Sequence, residues 1–144
     1  MPDWVETGCA EYMKRMPREM TVEIVEIKPD KRAAGKNSLV VQEAEGKRIL
    51  ESVGRDLLIV LDERGQSATT LQLVERMQGW LGSGRDVSLI IGGADGLHAD
   101  IRIRADWLWS LSQLTLPHAM VRILLAEQLY RAHSVINNHP YHRE

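Results

Sequence analysis

The last residues of the chain bring together side chains that can move a proton and hold a nucleic acid. His139, Tyr141, His142 and Arg143 place two imidazoles, a phenol and a guanidinium side by side. A histidine can accept a proton near neutral pH, a tyrosine can stack on a base, and an arginine can meet a phosphate. Chain ends of this polar type also fray into solvent. This tail is therefore either ordinary surface or a hook that holds RNA.

A second candidate lies where an apolar stretch ends at two glycines. Gly92 and Gly93 follow residues 86–91, which have the pattern of a buried strand. Ligands of α/β sheets bind at the carboxyl ends of strands, and a residue without a Cβ lets its backbone approach a ligand closely. A tight turn is the alternative. The spacing matches neither a Walker loop nor a dinucleotide fingerprint, which disfavours ATP and NAD.

The remaining reactive residues suggest less chemistry. His118 and the other histidines lack the HxxxH or HExxH spacing of a metal site, so we expect no metal. Cys9 is the single cysteine, which excludes an intrachain disulfide and fits a reducing cytosol; we expect it to be a small apolar residue on a helix. Four basic residues form a loop that is either solvated or a phosphate contact: Lys28, Lys31, Arg32 and Lys36.

Length and composition limit the protein to one soluble domain spanning residues 1–144. An apolar fraction of 44% and a charged fraction of 26% are typical of globular proteins. The net charge of −2 means that nucleic acid would have to meet a local basic patch. No apolar stretch is long enough to cross a membrane, and the N-terminus has no signal-peptide pattern. We expect a cytoplasmic protein.

Hydrophobic spacing predicts alternating strands and helices that position these residues. An α/β fold with a mostly parallel sheet follows, and the strand at 56–62, apolar throughout between two acids, should be central. Asp3 is a candidate cap for the first helix. The predicted helices span residues 3–16, 38–53, 71–81 and 119–135, and the predicted strands span 21–27, 56–62 and 86–91.

Other segments are less regular. Residues 63–67 are predicted to form a loop, and residues 94–109 a helix. Trp107 and Trp109 fit the core or a subunit interface better than a base-stacking platform. Arg122 and Arg131 are nine residues apart on the last helix, so we expect partnered charges on different faces.

Several motifs occur in an order that is specific where any one of them would be weak. They are Leu-Asp-Glu-Arg-Gly65, Ser-Leu-Ile-Ile-Gly-Gly93, Leu-Ser-Gln-Leu-Thr-Leu-Pro-His118, Glu-Gln-Leu-Tyr-Arg-Ala132 and Asn-His-Pro-Tyr-His-Arg143. Together they closely resemble the RlmH family of SPOUT methyltransferases over the whole chain. The resemblance implies a SPOUT-type layered fold with a C-terminal trefoil knot, S-adenosylmethionine as methyl donor and a homodimer. It also implies 3-methylpseudouridine as product, formed in 23S rRNA of the assembled ribosome.

The resemblance also assigns residues to the site. His118, Tyr141, His142 and Arg143 correspond to residues that face the substrate, although the sequence does not tell which histidine would take the proton. The implied cofactor residues are Leu61, Gly92, Leu111, Ser112, Gln113, Leu114, Thr115 and Leu116.

Two points qualify the resemblance. Family members begin with a strand, whereas this sequence begins at the helix that should follow it, so the first strand is expected to be missing. The rival function is a ribosome-binding or RNA-binding module without catalysis on the same fold; it would need no S-adenosylmethionine. A nucleotide-binding oxidoreductase is disfavoured by the absent fingerprint.

Overall fold

The computed structural model describes residues 1–24, 38–92 and 97–143. A short 3₁₀ helix at Arg18–Met20 accompanies the main elements of these residues. The helices are α1 (Asp3–Met13), α2 (Ser38–Val53), α3 (Thr70–Ser83), α4 (Ala99–Arg104) and α5 (His118–Ile136), and the strands are β1 (Leu57–Ser67), β2 (Val87–Ile91) and β3 (Trp107–Ser110).

The three described strands form a parallel sheet in the order β2-β1-β3. This confirms an α/β fold with a parallel sheet and the central place of the strand after residue 56. Side chains alternate along β1: Leu58 and Val60 lie in one buried cluster with α2 and α4 residues, whereas Ile59 and Leu61 lie in another with α3 and α5 residues. Both faces of the sheet are therefore covered, which explains the uninterrupted apolar run.

The predicted loop at 63–67 is wrong, because β1 continues through it to Ser67. After a register shift between Leu61 and Gln66, the strand pairs again with β3, and Gln66 lies opposite Trp109. A Cβ on Gly65 would lie 2.7 Å from the carbonyl carbon and oxygen of Leu108. The glycine therefore permits a backbone approach that local turn propensity did not reveal.

The predicted helix at 94–109 is also wrong in its extent. The described part contains the short helix α4 and then β3, because Trp107 and its neighbours pair with the central strand. Trp107 and Trp109 are 5% and 3% exposed, which confirms that they belong to the core of the chain. Their rings stack 4.8 Å apart, and the guanidinium of Arg76 lies over Trp107.

Near the N-terminus, three expectations need correction or lie outside the description. α1 ends at Met13 instead of residue 16. Pro17 disfavours helical geometry at the residue before it, which prevents the helix from continuing to residue 16. Asp3 lies inside the first turn and makes no capping hydrogen bond. Residues 21–24 pair with none of the described strands and form no strand, while residues 25–27 and the basic loop lie outside the described residues.

The predicted helices at 38–53 and 119–135 are confirmed. α2 has the predicted bounds 38–53, and α5 extends the predicted 119–135 by one residue at each end. α5 packs against α1 and α3. Cys9 of α1 is buried, as expected. None of the described helices is long and apolar enough to cross a membrane.

Candidate functional site

A cavity of about 690 Å³ lies at the carboxyl end of β2, where its pairing with β1 ends at Leu61, and is bordered by the segment 111–116 and the first turn of α5. Its size is within the range of small-molecule sites, which are concave and mostly apolar. Seven of the eight predicted cofactor residues line it, whereas Gln113 is exposed and does not. The seven are Leu61, Gly92, Leu111, Ser112, Leu114, Thr115 and Leu116.

Short-range hydrogen bonds hold the irregular segment 111–116 in place. The Ser110 hydroxyl donates to the Ser112 carbonyl at 2.8 Å, and the Ser112 hydroxyl accepts from the Leu114 backbone N–H at 2.9 Å. The Thr115 hydroxyl donates to Glu63 at 3.2 Å, which ties the segment to the far half of β1. Although polar and apolar residues alternate here, the segment forms a loop held by hydrogen bonds and not a strand.

Sequence reasoning missed the charged wall of this cavity. Arg102 of α4 forms an ion pair with Asp62 at 3.2 Å, and Arg64 lies 3.5 Å from the same carboxylate. All three residues line the cavity. Asp62 and Arg64 belong to a quoted motif and could have been suspected, but nothing local in the sequence connects Arg102 to them.

The backbone of Gly92 lies at the wall of the cavity for a steric reason. Its φ is not positive, but a Cβ there would lie 3.1 Å from Cγ of Leu97. Leu97 also lines the cavity. Any side chain at residue 92 would therefore compete for space with Leu97 instead of straining the backbone.

His118, the first residue of α5, uses both ring nitrogens. Its Nδ1 lies 3.1 Å from the Gly92 carbonyl oxygen, and its Nε2 accepts a hydrogen bond from Nε of Arg122 at 3.1 Å. A partnered charge was expected at Arg122, and one of its contacts is this histidine. His118 connects the end of β2 to the start of α5 across one side of the cavity.

The cavity fits a methyl donor with an adenosine moiety. Leucines on several sides suit an adenine ring, and the carbonyl and N–H groups at the strand ends suit its edge. Trp109, which lines the cavity, has a buried indole N–H that finds no acceptor among the described residues. A buried donor without an acceptor is costly, so a polar ligand atom would be favoured beside it.

The C-terminal tail docks on the other half of α5. The Tyr141 hydroxyl donates to Glu127 at 3.1 Å, and its ring packs edge-on against Tyr130 at 4.7 Å. Arg131 donates to Glu127 at 2.8 Å, which confirms a partnered charge at this position, and its guanidinium lies over the Tyr141 ring. These contacts hold the tail in an ordered position, so it is not a frayed chain end.

Charge and burial tune this cluster. Burial and the nearby Glu127 carboxylate raise the pKa of Tyr141 to about 12, so the phenol keeps its proton at neutral pH. The hydrogen bond to Glu127 raises the pKa of Arg131 above its usual value. Nη1 of Arg131 lies 3.2 Å from Nδ1 of His142, and Arg143 is exposed.

The predicted site residues form two groups within one chain. His118 lies at the cavity, whereas Tyr141 and His142 dock beside Glu127 and Arg131. Arg131 lies thirteen positions after His118 along α5, a rise of about 20 Å. Within the described residues, no group of three or more His, Cys, Asp or Glu side chains could hold a metal ion.

The SPOUT resemblance places the cofactor at Leu61, at Gly92 after β2 and along the leucine-rich segment 111–116, and this cavity lies there. The family model described as "Predicted SPOUT methyltransferase" matches residues 1–142, and the chain belongs to this family.

Within this family, the chain belongs to the RlmH group, as its motifs predicted. It is 72% identical to the "Ribosomal RNA large subunit methyltransferase H" of Methylobacillus flagellatus, over 100% of this chain and 93% of the relative. The protein of the same name from Paraburkholderia phymatum is 54% identical over 99% of this chain and 92% of the relative. That from Laribacter hongkongensis is 52% identical over 100% and 93%.

Proposed function

We propose that this chain is a cytoplasmic, S-adenosylmethionine-dependent methyltransferase that forms 3-methylpseudouridine in 23S rRNA of assembled ribosomes. One observation carries the proposal: seven of the eight residues that the family resemblance assigns to the cofactor surround a single cavity of suitable size. The relatives named above are large-subunit ribosomal RNA methyltransferases, which supports an RNA substrate. A single domain with the family's C-terminal trefoil knot is part of the proposal.

The cavity residues hold the donor and exclude water from it. S-adenosylmethionine, when bound, supplies an electrophilic methyl group on sulfur. Leu61, Leu114 and Leu116 provide the apolar contact, while the Gly92 backbone and the buried Trp109 N–H provide polar groups. Such a set binds mainly by apolar burial and uses few polar groups for orientation.

The tail residues are proposed to serve the acceptor base. The imino nitrogen of pseudouridine must lose a proton to become the nucleophile, so a nearby cation would stabilise the anion that forms. Arg143 is exposed and able to supply this charge, and Tyr141 and His142 are proposed to contact the RNA with it. His118 is the fourth side chain that the resemblance places near the acceptor.

A homodimer would reconcile the two separated groups. Donor and acceptor atoms must approach within about 3.5 Å for transfer, yet Arg131, which His142 of the docked tail contacts, lies about 20 Å along α5 from His118 at the chain's own cavity. Met120 and Leu124 expose 39% and 36% of their surface one helical turn apart on α5 between these groups. We propose that this apolar stripe contacts a second copy, so that the tail of one chain serves the cavity of the other.

Subunit complementation tests this function. One variant lacks residues 138–144, and the other carries Gly92→Val in the cavity; each alone is expected to methylate ribosomes poorly. Mixed dimers contain one intact cavity and one intact tail, so mass spectrometry of the rRNA should show recovered 3-methylpseudouridine. No methylated base with the unaltered protein would contradict the proposal and favour the non-catalytic RNA-binding module. If the unaltered protein methylates the rRNA but the mixture recovers no activity, only the proposal that the tail of one chain serves the cavity of the other is contradicted.

A further inference from the structure

The two contacts of His118 determine where its proton lies. An arginine is protonated at every accessible pH and its Nε can only donate. Since Nε of Arg122 lies 3.1 Å from Nε2 of His118, that ring nitrogen must be the acceptor and carries no hydrogen. The proton of the neutral ring is then on Nδ1, where it points to the Gly92 carbonyl oxygen 3.1 Å away.

This arrangement leaves the neutral ring without a lone pair for a substrate proton. The Nε2 lone pair is engaged by Arg122, and Nδ1 already bears its hydrogen. A second proton on the ring would turn Nε2 into a donor facing the Nε donor of Arg122. A base in proton transfer needs an accessible lone pair, which this geometry does not provide.

We infer that His118 is a positioning residue of the donor cavity, which fixes the Gly92 carbonyl at the end of β2 through its Nδ1 proton, and not the proton acceptor. The inference rests on the proposed function and refines it. Gly92 directly follows β2 and lines the cavity. Holding its carbonyl keeps the neighbouring backbone groups oriented before the donor arrives, which improves affinity by reducing the cost of ordering them.

Three substitutions at His118 separate the two roles. In His118→Asn the amide nitrogen stands as many bonds from Cα as Nδ1 does, so it can donate to Gly92, whereas the amide of His118→Gln reaches the Nε2 position. His118→Ala removes both groups. Loss of one hydrogen bond should weaken S-adenosylmethionine binding about fivefold to tenfold in the Ala and Gln variants. The Asn variant should recover most of this affinity.

Kinetics on ribosomes give a second readout. For a positioning role, the KM for S-adenosylmethionine of His118→Ala rises more than kcat falls at saturating donor. His133→Ala is the matched control, because it removes an imidazole of the same helix that hydrogen-bonds to the exposed Asn137 and does not line the cavity. This control should bind the donor like the unaltered protein. Unchanged donor affinity in all His118 variants, together with a kcat loss of about a hundredfold or more, would identify a proton acceptor and overturn the inference.

The protonation state can be observed without any cofactor. Nitrogen NMR of the free protein labelled at its histidines, recorded at a pH at which imidazoles are neutral, should show the His118 ring protonated on Nδ1. Arg122→Met removes the donor that selects this form, so the Nε2-protonated form should appear in that variant. A His118 ring protonated on Nε2 in the unaltered protein would overturn the inference, even if the protein binds S-adenosylmethionine and methylates RNA. Failure of calorimetry to detect S-adenosylmethionine binding would instead overturn the proposed function.

Discussion

The two halves of α5 serve regions that are built in different ways. At the N-terminal half, the donor cavity depends on backbone groups, leucines and Gly92, while Gly65 allows β1 to approach β3 closely. At the C-terminal half, the tail depends on charged and aromatic side chains around Glu127. Adding atoms should damage the first region, whereas removing atoms or charge should damage the second.

This difference indicates a division of work. A cavity with fixed backbone groups can bind a small molecule within one chain, because its walls need no partner to take shape. A tail held by hydrogen bonds between side chains is more easily displaced, which suits a surface that must meet RNA. Donor affinity and methyl transfer should therefore respond to different substitutions.

Deletion of residues 138–144 should have the largest effect. Methyl transfer to ribosomes is expected to fall roughly a hundredfold or more, because the groups proposed to act on the acceptor are removed. Donor affinity, measured by calorimetry, should be unchanged, since every residue that lines the cavity lies upstream. Normal methylation by the truncated chain would make the tail ordinary surface.

Adding one methyl group at Gly65 should reduce the stability of the donor half. In Gly65→Ala the new Cβ would meet the Leu108 carbonyl at 2.7 Å and the Trp109 nitrogen at 2.8 Å, which forces β1 away from β3. Overpacking of this kind costs about 1–3 kcal/mol of unfolding free energy, measurable by urea denaturation.

Gly79→Ala in α3 is the matched control for this substitution. A Cβ there meets nothing within 4 Å, and alanine favours a helix by up to about 1 kcal/mol over glycine. The control should therefore be neutral or stabilising. Equal stability of the Gly65→Ala protein would show that β1 can move at no cost.

Substitution of Gly92 should weaken donor binding and leave the oligomeric state unchanged. In Gly92→Val the side chain would push Leu97 from a contact that is already 3.1 Å for a Cβ, and Leu97 lines the cavity. We expect S-adenosylmethionine affinity to fall roughly tenfold or more, while gel filtration shows an unchanged oligomer. Gly92→Ala should give a smaller loss of the same kind. An unaltered affinity in both variants would remove Gly92 from the site.

Removing the charge of Glu127 should loosen the tail with the smallest effect on activity. Glu127→Gln keeps the size of the side chain but weakens its bonds to Tyr141 and Arg131, so methyl transfer is expected to fall roughly threefold to tenfold. The pKa of Tyr141, raised to about 12 by burial and by Glu127, should fall toward its usual value. Ultraviolet titration measures this, with Tyr141→Phe to assign the signal and Glu75→Gln as a control on α3.

The raised pKa of Tyr141 also predicts how the docking of the tail depends on pH. The pKa of Tyr141 in the folded protein lies above that of a free tyrosine. The protonated phenol therefore stabilises the docked tail fully below about pH 10. It is lost as the pH rises toward about 12. Proteolysis of the tail should accelerate over this interval in the unaltered protein, and at lower pH in Glu127→Gln. An identical pH dependence in the two proteins would exclude Glu127 as a cause.

Local patterns predicted those elements whose stability is mainly local. The spacing of apolar residues gave α2 its observed bounds, and a glycine marks the end of α3 at Gly84, which adopts a left-handed conformation. The continuation of β1 to Ser67 was missed because it depends on pairing with Trp109 and Ser110, more than forty residues away. β3 was mistaken for helix for the same reason, since its apolar residues fit either periodicity.

The prediction of the cavity residues was limited in the same way, because their contacts depend on the tertiary fold. Periodicity placed Gly92 at a strand end, but the segment 111–116 was assigned to the donor only through the family resemblance. The Asp62 and Arg102 pair was not predicted, because their contact joins residues forty positions apart through the tertiary fold. Nor could spacing show that Tyr141 and His142 dock far from their own His118.

The stacked indoles of Trp107 and Trp109 give the protein an optical signal of its own. Two such rings 4.8 Å apart and within 9° of parallel couple their electronic transitions, and Trp109 forms part of the cavity wall. Trp4 is more than half exposed and lies outside this pair. A ligand that enters the cavity changes the surroundings of one member of the pair, so circular dichroism can follow binding in unlabelled protein.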